Sequence, residues 1–373
     1  MSKTRAFNVK SRHVGVLAAL VVAVALVAGC SAAPNASTSA PPPAGSVAGV
    51  DVPDAFTAIT VSPIGNPPLP FLGADGKYHV VYDLQLTNAT KQPASLDKFD
   101  VVDGLDPKRV IASFSGTQLV DPNCTFGDCN RLRDLPAGYI DSATIPAQES
   151  RVLFIDFAVD SREDVPETLL HQLDITGANS PAFGEPKAVD YLTTPIAISA
   201  ETVPLISPPL QGKNWIALNG CCEPGFPHRS SVMSVNGKLN NSQRFAIDWK
   251  RVNDKGEGYS GDKTSNESYV DYGSDILAVA DATVVSVLDG MEANAPGVLP
   301  ASDPELAAKL TVENVDGNHV VLDLGNGVYA MYAHMISGSL KVKAGDRVKE
   351  GQVLGHLGNT GNANASHLHF QLM

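Results

Sequence analysis

Hydrophobic and polar residues alternate along residues 51–203, and glycine and proline punctuate the gaps between the alternating stretches. In the clearest stretch, residues 78–87, Tyr82 and Leu84 point to one face while Asp83 and Gln85 point to the other. A period of two is typical of strands that are buried on one face. Several short strands at this spacing predict an immunoglobulin-like β-sandwich. We predict strands at residues 78–87, 99–102, 110–114, 152–159, 173–176 and 191–198.

The pattern changes after residues 204–213, whose prolines predict a linker. From residue 214 onward the predicted strands are short, and Asn236-Gly237 and the glycines around Asn326 are strong hairpin-turn signals. Residues 276–287 are almost continuously apolar, which predicts one strand that is buried on both faces. Residues 342–355 resemble the turn-rich hammerhead segment of barrel-sandwich hybrid folds. We therefore expect an all-β chain with a sandwich at 51–203 and a hybrid β domain at 214–373.

The amino terminus has the pattern of an export signal. Four basic residues precede an uncharged apolar run at residues 14–27, as in a signal peptide. The run ends in Val27-Ala28-Gly29-Cys30, which resembles the lipobox of bacterial lipoproteins. It is shorter than the roughly 20 residues that span a bilayer, which disfavours an uncleaved anchor. We predict a signal peptide at 1–29, a lipidated Cys30 and a flexible tether at 30–50, which is rich in alanine, serine and proline.

The overall composition limits the classes of partner that this chain can have. A chain of 373 residues with 43% hydrophobic residues can bury more than one core, and its net charge of -13 argues against a nucleic-acid partner.

Outside the cytoplasm, Cys124 and Cys129 bracket a short loop that could close as a local disulfide. The adjacent Cys221 and Cys222 could form a vicinal disulfide, pair elsewhere, remain thiols or bind metal, and the sequence leaves these options open.

Candidate chemistry is concentrated near the end of the chain, at His367 and His369. Residues two apart on a strand point to the same face, so these imidazoles project side by side, roughly 7 Å apart along the strand. One could bind a divalent ion while its neighbour reaches the ion's water. Two solvated histidines on an edge strand are the alternative. The upstream segments 244–248 and 332–335 favour the metal site because each adds further candidate residues.

A series of motifs resembles one enzyme family. The motifs are Ala246-Ile247-Asp248, Ala278-Val279-Ala280 with Thr283-Val284-Val285, Gly317-Asn318-His319-Val320, Tyr332-Ala333-His334, Gly355-His356-Leu357-Gly358-Asn359-Thr360-Gly361 and His367-Leu368-His369-Phe370. In this order they are similar to the lysostaphin-like zinc metallopeptidases, also called the LytM or glycyl-glycine endopeptidase family. The resemblance covers the last third of the chain. It implies a duplicated hybrid fold, a Zn²⁺ cofactor and cleavage of peptide bonds in bacterial peptidoglycan.

The resemblance also implies roles for four residues. Asp248 and His369 match zinc ligands of the family, and His334 and His367 match the two non-ligand histidines that flank the activated water. Zinc lowers the pKa of its water toward about 7 and polarises the scissile carbonyl, one imidazole takes the proton, and a second stabilises the oxyanion. Which histidine is the base stays open.

One position departs from the family pattern, which has a histidine ligand four residues before the aspartate. This chain has Arg244 there, and a guanidinium offers no lone pair to a metal. Arg244 shares a strand face with Asp248, so an ion pair between them would close the site. His228 could replace the missing ligand if an odd-length loop or a bulge places it opposite Arg244, whereas a two-residue loop would pair it with Phe245 on the wrong face. A surface histidine is the alternative for His228.

Three hypotheses follow from the sequence. The first is an envelope-anchored zinc metalloendopeptidase, attached to the membrane by its lipid and facing the cell wall. The second is an inactive domain of the same fold that binds peptidoglycan or regulates another murein hydrolase. The third is a substrate-binding lipoprotein in which the sandwich binds the ligand. The chain ends at Met373, directly after the histidine strand, so the resemblance leads us to expect either a further segment or a fold that closes early.

Overall fold

A computed structural model describes residues 49–50, 52–178, 184–220 and 223–373, all within one compact unit. The described residues are almost entirely antiparallel β-structure, which confirms the all-β fold class. The predicted signal peptide, Cys30 and most of the tether lie outside the described residues, as do Cys221 and Cys222. In the part of the chain that the structure describes, no helix is long and apolar enough to cross a membrane.

The first eleven strands form two antiparallel sheets that enclose a common hydrophobic core. One sheet has the order β1-β3-β8-β6 with β2 beside β3, and the other has the order β10-β9-β4-β5 with β11 beside β9 and β7 beside β4. Leu84 and Leu153 from the first sheet pack with Phe99 and Leu173 from the second, and all four are fully buried. The strands are β1 (Ile59–Ile64), β2 (Phe71–Leu72), β3 (Tyr78–Asn88), β4 (Ala94–Asp103), β5 (Val110–Ser115), β6 (Leu132–Asp134), β7 (Thr144–Ile145), β8 (Ser150–Val159), β9 (Thr168–Gly177), β10 (Lys187–Leu192) and β11 (Ile196–Ala197).

A seven-stranded antiparallel sheet organises the rest of the chain, in the order β12-β15-β22-β19-β18-β17-β20. Two small sheets, β13-β14 and β16-β21, accompany it. A second core lies on this sheet and includes Val320, Tyr332 and Leu368. The strands are β12 (Trp215–Leu218), β13 (Val232–Val235), β14 (Lys238–Asn241), β15 (Ala246–Arg251), β16 (Asp275–Leu277), β17 (Ala282–Leu288), β18 (Asn318–Gly325), β19 (Val328–Met335), β20 (Arg347–Val348), β21 (Val353–His356) and β22 (Leu368–Leu372). The only α-helix among the described residues is α1 (Pro304–Ala307). The described residues also form 3-10 turns at Gly116–Gln118, Arg162–Asp164, Asn266–Ser268 and Pro300–Ser302.

Two predicted strands are each divided in the structure. The prediction of one strand at 276–287 is wrong, because the chain bends at Val279–Asp281 and β16 and β17 join different sheets. Val279 is fully buried but donates its backbone N–H to the Tyr332 hydroxyl at 2.9 Å instead of to a ladder partner. The predicted strand at 191–198 is divided into β10 and β11 around Pro195, which has no N–H for a ladder bond.

The alternation predicted for β3 holds on its apolar face, where Tyr82 and Leu84 are buried in the sandwich core. The polar face differs from the prediction at one residue. Asp83 is fully buried, because residues from the carboxy-terminal part of the chain cover it. This contact joins the sandwich to the segment that precedes β15.

Candidate active site

Asp248 and His369 lie on β15 and β22, the second and third strands of the seven-stranded sheet. The register of β15 and β22 makes them direct partners, and directly opposed side chains on one face of a sheet lie close together. His369 Nδ1 is 3.0 Å from Asp248 Oδ1. On its other side His369 pairs with Ala333 of β19, next to His334. The motifs that the sequence separates by more than a hundred residues therefore meet at one point.

His228 completes a group of three potential metal ligands with these two residues. Its Nε2 lies 3.5 Å from Asp248 Oδ2, and its ring contacts the His369 ring edge-on with centroids 4.8 Å apart. Donor atoms of His228, Asp248 and His369 all lie within 4.8 Å of one another, and all three side chains are buried. The structure thus brings together the three residues that sequence reasoning nominated as ligands.

The route by which His228 reaches the site differs from the predicted one. Strands β13 and β14 form a hairpin with the two-residue loop Asn236-Gly237, so pairing within the hairpin would not have placed His228 correctly. His228 lies instead in a turn before β13, where Ser230 and Ser231 donate backbone N–H groups to earlier carbonyls. A second turn separates β14 from β15, so Phe245 is not part of the hairpin. Tertiary contacts, not strand register, place the imidazole.

Arg244 does not form the predicted ion pair with Asp248. Its Nη2 and Nε lie 2.6 and 3.0 Å from Asp83 Oδ2 in the sandwich, and Nη2 also donates to the Ile64 carbonyl at 3.2 Å. The residue lies in the turn before β15, so it does not share a strand face with Asp248. The guanidinium therefore leaves the position beside Asp248 free for His228.

His334 and His367 lie beside the three potential ligands. Their ring centroids are 4.7 Å apart, and His367 Nε2 is 3.5 Å from Asp248 Oδ1. His334 Nδ1 donates to the Thr360 carbonyl and His367 Nδ1 to the Ala365 carbonyl, each at 2.8 Å. A carbonyl oxygen can only accept, so both rings carry their proton on Nδ1 when neutral and have a lone pair on Nε2. Both rings can therefore accept a proton within the site.

The backbone of His334 is unusual. Its φ is 64°, in the left-handed region that non-glycine residues rarely adopt. The surrounding chain holds it there, because the His334 N–H donates to the Asp316 carbonyl at 3.0 Å while the ring is fixed by Thr360. Conformations of this kind typically cost about 1–3 kcal/mol and cluster at functional sites.

The electrostatics suit a cation between the ligands. Burial by itself raises the pKa of Asp248, but the His369 hydrogen bond and the neighbouring imidazoles outweigh it and lower the pKa below its ordinary value. Burial lowers the pKa of His228, His334 and His367. For His369, burial lowers the pKa, but the hydrogen bond to Asp248 reverses the effect and raises it. The carboxylate is therefore ionised at neutral pH, and His228, His334 and His367 are uncharged.

The residues present fit a zinc ion. Two imidazoles and a carboxylate are a known ligand set for catalytic zinc. Tetrahedral ligands at about 2.1 Å from zinc would be about 3.4 Å apart, close to the 3.0 and 3.5 Å separations of Asp248 from His369 and His228. His369 Nε2 donates to Gln371 Oε1 at 3.0 Å, so Nδ1, which donates to Asp248 in this structure, is the nitrogen that would bind a metal after losing its proton.

Sequence reasoning missed Gln371 and Asn219. Gln371 lies two residues after His369 on β22, so the period of two that groups His367 with His369 could have found it. Asn219 follows β12 and donates its amide to Asp248 Oδ2 at 2.8 Å. No sequence signal marks Asn219, because its position depends on the pairing of β12 with β15.

The predicted cysteine pair lies far from these residues along the chain. Cys124 and Cys129 are joined by a disulfide, with their Cα atoms 6.4 Å apart. The bond closes a loop of the sandwich in which the Cys124 carbonyl also accepts from Asn130 at 2.6 Å. Gly127 and Phe126 of this loop contact Glu223 and Phe226, residues shortly before His228.

Comparison with known proteins identifies a domain at the end of the chain. The family model described as peptidase family M23 matches residues 267–373. The matched range contains His334, His367 and His369, whereas His228 and Asp248 precede it. Among solved structures, the catalytic domain of the antimicrobial peptidase lysostaphin from Staphylococcus simulans aligns at 23% identity, covering 38% of this chain and 71% of that one, with a TM-score of 0.21.

Two curated proteins match a shorter stretch of the chain. The glycyl-glycine endopeptidase ALE-1 of Staphylococcus capitis is 46% identical over 57 residues, which are 15% of this chain and 16% of the relative. The peptidoglycan DD-endopeptidase ShyA of Vibrio cholerae is 40% identical over 57 residues, 15% of this chain and 13% of the relative. The chain spans less than a fifth of the length of these relatives. By these comparisons, the carboxy-terminal part of this chain, residues 267–373, is similar to peptidase family M23.

Proposed function

We propose that this protein is a zinc metalloendopeptidase that hydrolyses peptide bonds of bacterial peptidoglycan. The observation that carries the proposal is the convergence of His228, Asp248 and His369 into one buried ligand group beside His334 and His367. The printed names of the relatives, a glycyl-glycine endopeptidase and a peptidoglycan DD-endopeptidase, support a peptidoglycan peptide as the substrate.

In this proposal His228, Asp248 and His369 hold the zinc, which when bound supplies Lewis-acid chemistry and a nucleophile derived from water. His334 and His367 are the candidates for accepting the proton that the attacking water loses. Burial keeps both rings neutral, and each offers an Nε2 lone pair to the attacking water. The ring that has taken up the proton becomes a donor and can then stabilise negative charge developing on the scissile carbonyl oxygen.

The alternative, an inactive domain that binds peptidoglycan or regulates another hydrolase, rested on Arg244. The pairing of Arg244 with Asp83 removes the specific reason for that alternative, because the guanidinium does not compete for Asp248. The presence of both Nε2-accepting histidines also favours an enzyme, since a purely binding site has no need of a proton acceptor.

We further propose the setting in which the enzyme works. Cys30 carries the lipid, residues 30–50 tether the protein to the outer face of the cell membrane, and the enzyme faces the cell wall. Residues 51–203 are an immunoglobulin-like sandwich, 204–213 a linker, and 214–373 a duplicated hybrid β domain. The two antiparallel sheets around one core support the sandwich, and the seven-stranded sheet with two small sheets supports the hybrid domain.

The decisive experiment measures the zinc content of the purified full-length protein beside its His228→Ala variant, by elemental mass spectrometry. We expect about one zinc per chain in the parent and its loss in the variant, because removing one of three protein ligands leaves too few donors for tight binding. His356→Ala is the matched control, since this histidine lies on β21 and pairs with Asp275 outside the ligand group.

Hydrolysis of purified peptidoglycan is then followed by the release of free amino groups, with and without a chelator. A properly folded parent that takes up no zinc from solution would contradict the proposal. So would hydrolysis that continues unchanged in the zinc-free protein.

A further inference from the structure

His228 belongs to a segment that is docked on the sandwich. We call residues 223–245 the docked segment. Pro224 accepts a hydrogen bond from Arg133 at 2.6 Å, and Phe226 packs on Phe126 with ring centroids 5.4 Å apart. Val232 packs in a small hydrophobic cluster with residues of β1 and β8, namely Ile64, Val152 and Phe154. The first candidate ligand is thus carried by a part of the chain whose neighbours are in the sandwich.

Asp83 is the polar centre of this contact. It is fully buried on β3 and forms an ion pair with Arg229, the residue that follows His228. Its second oxygen accepts from Arg244 at 2.6 Å and from Asn241 Nδ2 at 2.9 Å. The carboxylate is therefore shared by three residues of the docked segment. Burial raises the pKa of Asp83, but the charges of Arg229 and Arg244 outweigh it and lower the pKa, so the group is ionised.

Arg229 is held more firmly than an ordinary ion pair requires. Its side chain is fully buried, and Nη2 donates to the carbonyls of Tyr82 at 3.2 Å and Ile155 at 3.0 Å. Asn241 donates to the Arg229 carbonyl at 2.8 Å, so the backbone of Arg229 is fixed as well. A planar guanidinium with several fixed acceptors has little freedom. The peptide that joins it to His228 is restrained by the same contacts.

The three candidate ligands are thus supported in different ways. Asp248 and His369 lie on paired interior strands and are held by sheet hydrogen bonds. His228 lies in a turn outside the seven-stranded sheet, and the next residue, Arg229, is fixed by its contacts with the sandwich. Metal affinity depends on holding each ligand in place through its surroundings. The sandwich is the surrounding structure that does this for His228.

We propose that Asp83 is a positioning residue for the metal site: through Arg229 it holds His228 in ligand position, so that the sandwich contributes directly to zinc affinity. This inference rests on the proposed function. Asp83 does not touch zinc or substrate in this scheme. The sandwich is then part of the metal centre and not a spacer.

The test measures zinc affinity of the purified full-length protein by competition with a chromophoric chelator, for the parent and for Asp83→Asn. We expect the variant to bind zinc at least about tenfold more weakly, the size of effect typical when a residue that orients a ligand is lost. Cobalt substitution gives a second readout, because loss of His228 from the ligand set lowers the intensity of the visible absorption bands. Near-ultraviolet circular dichroism shows whether each variant is folded.

Asp100→Asn is the matched control. Asp100 is also a buried sandwich carboxylate, but it lies in the other sheet and pairs with Lys98 and Ser113. We expect this variant to lose stability and keep the parent's zinc affinity and cobalt spectrum. If Asp100→Asn weakened zinc binding as much as Asp83→Asn, the effect would be a general loss of sandwich stability and the inference would be overturned.

A second variant covers the case in which Asp83→Asn fails to fold. Arg229→Lys keeps a positive charge beside Asp83 but cannot reach the three acceptors of the guanidinium, and we expect the same weakening. If folded Asp83→Asn or Arg229→Lys keeps the parent's zinc affinity, the inference is overturned but the proposed function is not. A parent that binds no zinc overturns the proposed function, so the two failures are distinguishable.

Discussion

At the scale of single residues, the two histidines beside the candidate ligands have ordinary hydrogen bonds, but the backbone conformation of one of them is unusual. The imidazoles of His334 and His367 make ordinary hydrogen bonds to carbonyls, whereas the His334 backbone lies in the left-handed region. The unusual backbone directs the ring from the end of β19 into the site between Thr360 and Asp316. Function and conformation at this position can be separated by substitution, because asparagine tolerates the left-handed region better than most residues.

We expect His334→Asn to lower the rate of peptidoglycan hydrolysis by about 100- to 10,000-fold, the usual contribution of a proton-transferring group. The unfolding temperature should stay close to that of the parent, since asparagine accepts the backbone conformation. Hydrolysis rate and thermal unfolding are measured on the same preparations. His356→Asn should leave both unchanged, and a His334→Asn variant with the parent's rate would remove His334 from the proposed mechanism.

Residues whose positions depend on local periodicity and motif order could be predicted from the sequence, and residues whose positions depend on contacts with distant segments could not. Asp248, His367 and His369 follow from strand periodicity and the order of the motifs, and the structure brings them together. His228 was nominated, but the predicted hairpin register does not explain its position. The alternation along β3 places Asp83 on the polar face, but it carries no information about a segment that lies about 150 residues further along the chain and buries this residue.

At the scale of elements, a close contact between two loops supports His334. Gly361 has a φ of 70°, and a Cβ at this position would lie 2.2 Å from the Gly317 backbone nitrogen. Asn362, the next residue, donates to the Val315 carbonyl at 2.7 Å. The loop before β22 therefore rests directly on the loop before β18. The preceding carbonyl, of Thr360, is the one that accepts from His334.

We expect Gly361→Ala to destabilise the protein more than Gly351→Ala. Gly351 has a similar φ of 77°, but a Cβ there would meet nothing within 4 Å. Gly351→Ala should cost only the backbone term, about 1–2 kcal/mol. Gly361→Ala adds a backbone clash that only a shift of one loop can relieve. The test compares the urea concentrations at which half of each variant is unfolded. Equal midpoints for the two variants would show that the two loops can move apart without a cost in stability.

The strands themselves were predicted better than their ends. The turn signal at Asn236-Gly237 gives the hairpin β13-β14 correctly, because the left-handed conformation that such a turn requires is a local property. The apolar run at 276–287 does not reveal its bend, because both halves are buried and burial gives no signal for a break. A buried strand and a buried bend have the same composition.

At the scale of the whole molecule, a buried histidine makes the stability of the sandwich sensitive to acid. The sandwich core contains His171, which is fully buried and hydrogen-bonded to the Tyr82 hydroxyl at 2.7 Å. Burial lowers the pKa of His171 to about 3. The unfolded chain takes up a proton at this residue below about pH 6.5, and the folded chain does not until about pH 3. The stability that depends on neutral His171 is therefore lost progressively as the pH falls through this window.

We expect His171→Gln to reduce the acid sensitivity of folding. At about 1.4 kcal/mol for each pH unit, the parent should lose about 2 kcal/mol between pH 6.5 and pH 5 through this residue, and the variant should not. Urea unfolding at pH 7 and pH 5 gives the difference for each protein. The same pH dependence in His171→Gln and the parent would exclude His171 as the cause.

The docking of residues 223–245 also limits how this protein can be rearranged. A catalytic domain that supplies all its own ligand supports can be moved onto another anchor, by recombination or by an engineer, and still work. Here the buried Arg229 finds its charge partner and two of its carbonyl acceptors in the preceding half of the chain. Transplanting residues 214–373 alone would remove these partners of Arg229 and expose the face of residues 223–245 that packs on the sandwich. The two halves are therefore expected to be inherited, exchanged and redesigned as a pair.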